Sequence, residues 1–109
     1  MAETLIDTKI VGIEYRGMTA VRAAAKMARN EQIRLEREPH NPFDALAIAV
    51  YYRGHHIGYV PRVANGVLAP ALDRGAVALA VIEAPAAIDA YGHVRSEPKI
   101  RVALAEPQL

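Results

Sequence analysis

The sequence predicts a small, mostly β protein whose sheet curls into a partly open barrel of about six strands, with two short helices. Two patterns support this class. Short apolar segments alternate with polar residues along most of the chain, whereas helical periodicity appears in two places. A length of 109 residues with 52% hydrophobic content suits one core. We therefore expect a single domain that spans residues 1–109.

The first two elements are a strand and a helix. Residues 5–14 alternate loosely between apolar and polar types, which predicts a strand that ends within "GIEYRG". Thr19 is the expected N-cap of an alanine-rich helix in "AVRAAAKMAR". Its predicted inward face contains Val21, Ala24, Ala25 and Ala28. The opposite face contains Arg22, Lys26 and Arg29, and a solvated surface is the simplest interpretation of that cationic stripe.

A hairpin forms the middle of the predicted sheet. "QIRLERE" predicts a second strand, and the strand after it is apolar on both faces, which indicates a central position. Its two faces contain Leu46, Ile48, Val50 and Tyr52 on one side and Ala45, Ala47, Ala49 and Tyr51 on the other. "RGHH" predicts the hairpin turn, with Gly54 at positive φ, and "IGYV" predicts the fourth strand.

The C-terminal half contains the second helix and two further strands. "PRVANGVLAPALDRG" predicts a helix that stops at Gly75, and Pro70 requires that it either starts near Gly66 or kinks. Its predicted inward residues are Val67, Leu68, Ala71 and Leu72. "AVALAVIEAP" and "PKIRVALAEP" are strands, and a hairpin between them would present Tyr91 to a functional site or to a dimer contact.

Composition excludes several classes of function. A formal charge of +1 creates no global field, so binding to nucleic acid would have to rest on a local patch. The lack of cysteine excludes disulfides, thiolate zinc sites and thiol nucleophiles. The N-terminal sequence has no signal-peptide pattern, and no apolar run is long enough to span a bilayer. We expect a cytoplasmic protein without membrane association, and the oligomeric state stays open.

The segment "REPHNPFD", which precedes the third strand, has an unusual composition. Pro39 and Pro42 restrict the backbone, so the loop is stiff. Asn41 and Asp44 can each close a turn from side chain to backbone. Two interpretations stay open: a rigid connection with Phe43 in the core, or a recognition loop that displays an amide, an aromatic ring and a carboxylate.

Four motifs occur in a familiar order and spacing: "IVGIEYRG", "LEREPHNPFDALAIAV", "IGYVPR" and "LAPALDRG". Between about Thr8 and Val81 the chain resembles the HIRAN domain family, whose members are stand-alone bacterial proteins or N-terminal modules of fork-remodelling ATPases. The resemblance implies an OB-like barrel that binds single-stranded DNA at its free 3′-hydroxyl end, in DNA repair or replication-fork processing. A separately encoded helicase or nuclease is a possible partner for a chain without a motor.

The resemblance also implies which residues bind DNA: Tyr15, Asn41, Phe43, Asp44, Tyr59 and Arg62. Tyr15 matches an aromatic residue that stacks on the terminal base, and Asn41 matches an amide that contacts the terminal nucleotide. Phe43 stands where another member has tyrosine, so it keeps the stacking face and lacks the hydroxyl.

The remaining matches concern charge. Asp44 matches a carboxylate that accepts a hydrogen bond from the 3′-hydroxyl, and Arg62 matches a basic residue that meets backbone phosphate. In that same family member, the position of Glu14 is basic and the position of Tyr59 is histidine. These two departures bear on how phosphate is bound.

Two other functions stay open. A domain that binds a peptide or the edge of a partner protein would suit the low net charge and Glu14, and a small metal-dependent hydrolase would use Asp44 with an acidic neighbour. Adjacent strand residues point to opposite faces, so His55 and His56 are poorly placed to share an ion with His40 or His93. We predict no metal site, no cofactor and no enzymatic activity.

Overall fold

A six-stranded sheet, two α-helices and a small ribbon make up the computed structural model, which describes residues 3–107. In chain order the elements are β1 (Glu3–Lys9), a 3₁₀ turn (Glu14–Arg16), α1 (Met18–Ala24), β2 (Gln32–Arg37), β3 (Ile48–Tyr52), β4 (His55–Tyr59), α2 (Arg62–Asp73), β5 (Val77–Ala84), β6 (Ala87–Ile88), β7 (Val94–Ser96) and β8 (Lys99–Ala105). The ends of the predicted 1–109 domain lie outside the described residues.

The main sheet has the strand order β1-β8-β5-β2-β3-β4, and neighbouring strands are antiparallel. β1 and β4 do not pair, so the sheet stays open. The mostly β class, the two short helices and the partly open barrel are confirmed, with eight strands instead of about six. β6 and β7 form the separate two-stranded ribbon. Among residues 3–107, no helix has the length and apolar character needed to cross a bilayer.

One bridge partly closes the opening of the barrel. After β1 the chain turns, and Val11 exchanges two backbone hydrogen bonds with Tyr59 of β4, at N···O distances of 2.9 and 3.0 Å. Gly58 permits this approach. A Cβ at Gly58 would lie 2.5 Å from the Val11 carbonyl oxygen and 2.8 Å from a side-chain carbon of Ile10. The bridge therefore brings the 3₁₀ turn next to the end of β4.

The core lies between the inner face of the sheet and the two helices. Its largest fully buried side chains are Tyr52, Ile10, Ile48, Ile57, Leu68, Ile82, Ile100, Val50, Val102 and Pro98. Burial of one large aliphatic side chain contributes about 1.5–3 kcal/mol. Ile48, Ala49 and Val50 are all fully buried, which confirms that β3 is apolar on both faces, and it lies between β2 and β4 as expected for an inner strand.

The first strand and first helix are shorter than predicted. β1 ends at Lys9, because the chain then turns through Gly12 at a φ of 79°. α1 begins at Met18 with Gly17 as its N-cap, so the prediction of Thr19 as N-cap was wrong. α1 ends at Ala24, and the inward face consists of Ala20, Val21, Ala23 and Ala24. The predicted inward positions at Ala25 and Ala28 are exposed because they lie beyond this end.

The second helix is confirmed in part. α2 begins at Arg62, directly after Pro61, and continues through Pro70 without a late start. Leu68 and Ala71 are buried and Leu72 packs against the core, as predicted, whereas Val67 is 60% exposed and Asn65 is buried in its place. Pro70 lies on the exposed side, where solvent can satisfy the carbonyl that lacks its donor. The predicted stop at Gly75 is confirmed by its φ of 96°.

The two hairpins are confirmed in modified form. Arg53 and Gly54 both have positive φ, 48° and 82°, as a type I′ turn requires, so β4 begins at His55 rather than at Ile57. The ribbon of β6 and β7 presents Tyr91 at its tip, 85% exposed. In that tip, Asp89 Oδ1 accepts hydrogen bonds from the backbone N–H groups of Tyr91 and His93.

Candidate nucleic-acid interface

All six residues with a predicted DNA contact line one open cavity of about 430 Å³: Tyr15, Asn41, Phe43, Asp44, Tyr59 and Arg62. We call this cavity the end groove. Its walls come from the loop between β2 and β3, the 3₁₀ turn, the end of β4 and the start of α2. The Val11–Tyr59 bridge holds the 3₁₀ turn against the end of β4, so residues far apart in sequence meet here.

Two aromatic rings project from the walls of the end groove. Tyr15 is 95% exposed and Phe43 is 86% exposed. The interpretation that places Phe43 in the core was therefore wrong, because the rigid loop turns this side chain outward. Rings with free faces can stack on planar ligands such as nucleic-acid bases.

Asn41 organises the loop of the end groove through its side-chain amide. Its Oδ1 accepts hydrogen bonds from the backbone N–H groups of Phe43 and Asp44, at 2.9 and 3.2 Å. Its Nδ2 donates to Glu38 Oε1 at 3.0 Å. Burial opposes ionisation of Glu38, but hydrogen bonds from Asn41 and Tyr59 outweigh burial and lower its pKa. Asn41 is thus largely engaged in shaping the loop, as the Asx-turn interpretation predicted.

Asp44 occupies the base of the end groove as a carboxylate. Its Oδ1 accepts from the Leu46 N–H at 2.9 Å, and its Oδ2 accepts from Asn65 Nδ2 at 2.8 Å. The Leu46 hydrogen bond, followed by the one from Asn65, lowers the pKa of Asp44, so the group is ionised at neutral pH. A carboxylate offers about four acceptor sites, so about two stay available for a ligand.

Two arginines supply positive charge to the end groove. Arg62 donates to the Phe43 carbonyl at 3.1 Å, and its Nε lies 3.6 Å from Asp44 Oδ2. Its side chain is 76% exposed. Arg16 also lines the cavity, and no carboxylate within residues 3–107 lies within ion-pair distance of it. Both cations can therefore approach an anionic ligand.

Two polar residues of the end groove, Arg16 and Asn65, were not predicted from the sequence. Arg16 directly follows Tyr15 in "EYRG", and this adjacency was the available signal. Asn65 is buried on the inward face of α2, where it donates to Asp44. Nothing in the sequence around Asn65 indicates that contact, because its partner lies 21 residues away and Asn65 was not among the residues predicted to face inward.

The two departures from the family pattern have structural explanations. Glu14 Oε1 accepts a hydrogen bond from the Val94 N–H of β7 at 2.5 Å, and Glu14 is not among the residues that line the end groove. Its charge therefore does not oppose an anion there directly. Tyr59 forms a wall, and its hydroxyl donates to Glu38 at 2.9 Å; burial, with Glu38 next, raises the pKa of Tyr59.

The histidines do not form a shared ion site. The described part of the chain contains no group of three or more histidine or carboxylate side chains placed to hold a metal. The His56 ring stacks on Tyr51 with centroids 5.0 Å apart, and it meets Tyr59 edge-on at 4.9 Å. Burial, followed by the charge of Arg16, lowers the pKa of His56. His56 thus has a packing role beside the end groove.

A sequence comparison decides the family. The model of the HIRAN domain matches residues 4–100. The chain belongs to the HIRAN domain family. This family is known for DNA binding. No curated protein sequence matches the chain.

Solved structures show the same HIRAN fold. The HIRAN domain of human HLTF superimposes with a TM-score of 0.69 at 22% identity, covering 94% of this chain and 76% of that one. A protein from Lactobacillus plantarum superimposes with a TM-score of 0.66 at 22% identity, covering 93% of this chain and 98% of that one. At this identity the two likenesses concern the fold.

Proposed function

We propose that this HIRAN domain binds single-stranded DNA and holds the free 3′-hydroxyl end of the strand in the end groove. The observation that carries the proposal is the ionised Asp44 carboxylate, which lines the same cavity as two exposed aromatic rings and lies beside Arg62. This arrangement combines surfaces for bases, a cation for phosphate and an acceptor for one hydroxyl donor.

The Asp44 carboxylate is the feature that suits a strand end. A carboxylate next to a polyanion is unfavourable unless a hydrogen-bond donor takes the place of the next phosphate. A terminal 3′-hydroxyl supplies that donor, whereas an internal nucleotide or a 3′-phosphate brings a second negative charge. Because Leu46 and Asn65 hold Asp44 in place, the acceptor is in position before the ligand arrives.

Aromatic stacking supplies affinity without sequence preference. Stacking of a base on Tyr15 or Phe43 contributes about 1–3 kcal/mol for each base. Arg16 and Arg62 contact backbone phosphates close to the end. For contacts with two or three phosphates, log K falls with log salt at a slope of about −1.4 to −2.1 for a single strand. A measured slope steeper than about −4 would contradict a site of this size.

Fluorescence anisotropy with two labelled oligonucleotides tests the proposal. The strands are identical except that one ends in a 3′-hydroxyl and the other in a 3′-phosphate. We expect tighter binding to the hydroxyl form, and we expect Asp44→Asn to abolish the preference because the amide removes the charge. The matched control is Asp89→Asn, in a turn outside the end groove. Equal affinity of the wild-type protein for both strands would refute end recognition.

A second candidate function is docking to another protein, as with a separately encoded helicase or nuclease. Val63 and Val67 favour it, since they lie one helical turn apart on α2 and are 90% and 60% exposed. Val63 directly follows Arg62, so a partner bound there would lie near the end groove. Val63→Ser with Val67→Ser, which adds no charge beside Arg62, should then leave oligonucleotide binding unchanged while abolishing co-purification of the partner.

A further inference from the structure

A second cavity lies between α1 and the turn that joins β3 to β4. It measures about 250 Å³ and is lined by Thr19, Arg22, Ala23, Lys26, Tyr52, Arg53 and His55. We call it the basic cleft. Among its lining residues, Arg22, Lys26 and Arg53 are cations, and none is a carboxylate. All three cations of the predicted stripe are exposed, as expected for a solvated surface, and two of them, Arg22 and Lys26, also form one wall of the basic cleft.

Arg53 is held in place on the opposite wall of the basic cleft. It occupies a left-handed conformation, φ 48°, at a turn position where asparagine, aspartate or glycine is usual. Its Nη2 donates to Glu31 Oε2 at 2.9 Å, and its guanidinium lies 5.1 Å from the centroid of the Tyr52 ring. Hydrogen bonds from Tyr52 first, and then from Ala28 and Arg53, lower the pKa of Glu31. These contacts limit the freedom of Arg53 before any ligand binds.

Arg22 and Lys26 leave the basic cleft with an excess of positive charge. Glu31 is engaged by Arg53 and by the Tyr52 hydroxyl, which donates to it at 2.6 Å. No carboxylate in the described chain, residues 3–107, forms an ion pair with Arg22 or Lys26. Polyanions with regularly spaced phosphates match such a surface.

The basic cleft is joined to the end groove through α1. Arg16 lines the end groove, and Thr19 already lines the basic cleft. The seven residues of α1 span about 10 Å, which equals about three steps of a DNA strand at 3.4 Å per step. We infer that the basic cleft is a second phosphate-binding site, which contacts the sugar-phosphate backbone of the same nucleic acid a few nucleotides away from the bound end. This inference rests on the proposed function of the end groove.

Oligonucleotide length separates the two sites. An oligothymidine of about four nucleotides occupies the end groove, whereas one of about twenty also reaches the basic cleft. We expect Arg22→Gln with Lys26→Gln to weaken binding of the longer strand about fivefold or more at about 50 mM salt, and to flatten its salt slope by about 1.4. Binding of the shorter strand should not change.

The matched control is Arg74→Gln with Arg101→Gln, which removes the same charge from surface pairs outside both cavities. An equal loss in this control, or an equal loss for both strand lengths, would overturn the basic cleft as a nucleic-acid site and leave the end groove intact. If millimolar inorganic phosphate instead lowers the affinity for the longer strand to that of the shorter one, this result would overturn the proposal and assign the basic cleft to small anions. If the wild-type protein binds neither strand, the proposed function fails as well.

Discussion

The loop of the end groove and the tip of the β6–β7 ribbon use the same local chemistry with different results. In the loop, Asn41 accepts two backbone N–H groups and Phe43 projects outward. In the ribbon, Asp89 accepts two backbone N–H groups and Tyr91 projects outward to the same extent. Yet Phe43 lines a cavity with five other candidate residues, whereas Tyr91 lines none of the cavities described here.

The difference lies in what each loop meets across the fold. The end groove has a second wall because Asp44 bonds to Asn65 of α2 and because Val11 pairs with Tyr59. At the ribbon tip, Arg95 of β7 bonds to Asp89 and Gly92 lies beside Met18 of α1, but within residues 3–107 these contacts build no cavity wall at Tyr91. Turn chemistry therefore accounts for a stiff loop with a displayed ring, and long-range contacts turn that loop into a candidate binding site.

The largest expected effect comes from removal of the second wall. In Gly58→Ala the new methyl group would overlap the Val11 carbonyl and Ile10, so we expect a loss of about 1–3 kcal/mol in the free energy of unfolding and loss of DNA binding. Gly66→Ala is the control, because the same methyl meets open space in α2 and should stabilise the protein by about 0.5–1 kcal/mol. Urea unfolding measures the stability of both variants. Unchanged DNA affinity in Gly58→Ala would show that binding in the end groove does not depend on the Val11–Tyr59 bridge.

The two displayed rings give the next effect. Phe43→Ala should weaken binding of single-stranded DNA by about 1–3 kcal/mol, roughly 5- to 150-fold, through lost stacking. Tyr91→Ala removes an equally exposed ring and should leave affinity unchanged. Both variants should keep their unfolding free energy within about 0.5 kcal/mol of wild type. Parallel anisotropy titrations measure the DNA affinity of both variants. An equal loss of affinity in the two would show that the ribbon tip contributes to DNA binding as much as the loop of the end groove.

The two capping residues provide a smaller contrast. Asn41→Ala and Asp89→Ala each remove two hydrogen bonds to backbone N–H groups, so each should lower the free energy of unfolding by about 1–2 kcal/mol. Only Asn41→Ala should also weaken DNA binding, because it releases Phe43 and Asp44. If Asp89→Ala impaired binding as strongly, the ribbon would have to belong to the site.

The smallest effect concerns acid stability beside the end groove. The pKa of His56 is lowered by burial and by Arg16, so the unfolded chain binds this proton more readily than the folded one. The contribution of His56 to the free energy of unfolding should therefore be constant above its unfolded-state pKa of about 6.5. It should be lost as the pH falls from there through the lower pKa of the folded state. Thermal midpoints for wild type and His56→Gln measure this loss. An identical decline in both proteins would assign the decline to other groups.

Much of the fold could be predicted because its signals are local. Short apolar segments marked β2, β3, β5 and β8, and the pair Arg53–Gly54 marked the hairpin turn. The start of α2 could not be predicted, because Pro70 argued for a late start and only the packed structure shows that it faces outward. The ribbon was expected as a hairpin, but strands of two and three residues are too short for their bounds to be predicted.

The candidate site divides in the same way. Its six candidate residues were identified from sequence motifs, and the structure brings all six to one cavity. The exposure of Phe43 and the participation of Arg16 and Asn65 could not be predicted, because they depend on chain segments that meet only in the folded protein.

The Val11–Tyr59 bridge also has a dynamic consequence. Two hydrogen bonds at the open side of the sheet hold the wall that carries Tyr15, whereas the strands themselves are paired along their length. Local opening of that wall needs far less free energy than global unfolding. Under the proposed function only the closed form binds DNA, and the apparent dissociation constant is then the intrinsic one divided by the closed fraction. Variants in which the Val11 amide exchanges hydrogen faster should therefore bind DNA more weakly, and a bound strand should slow the exchange.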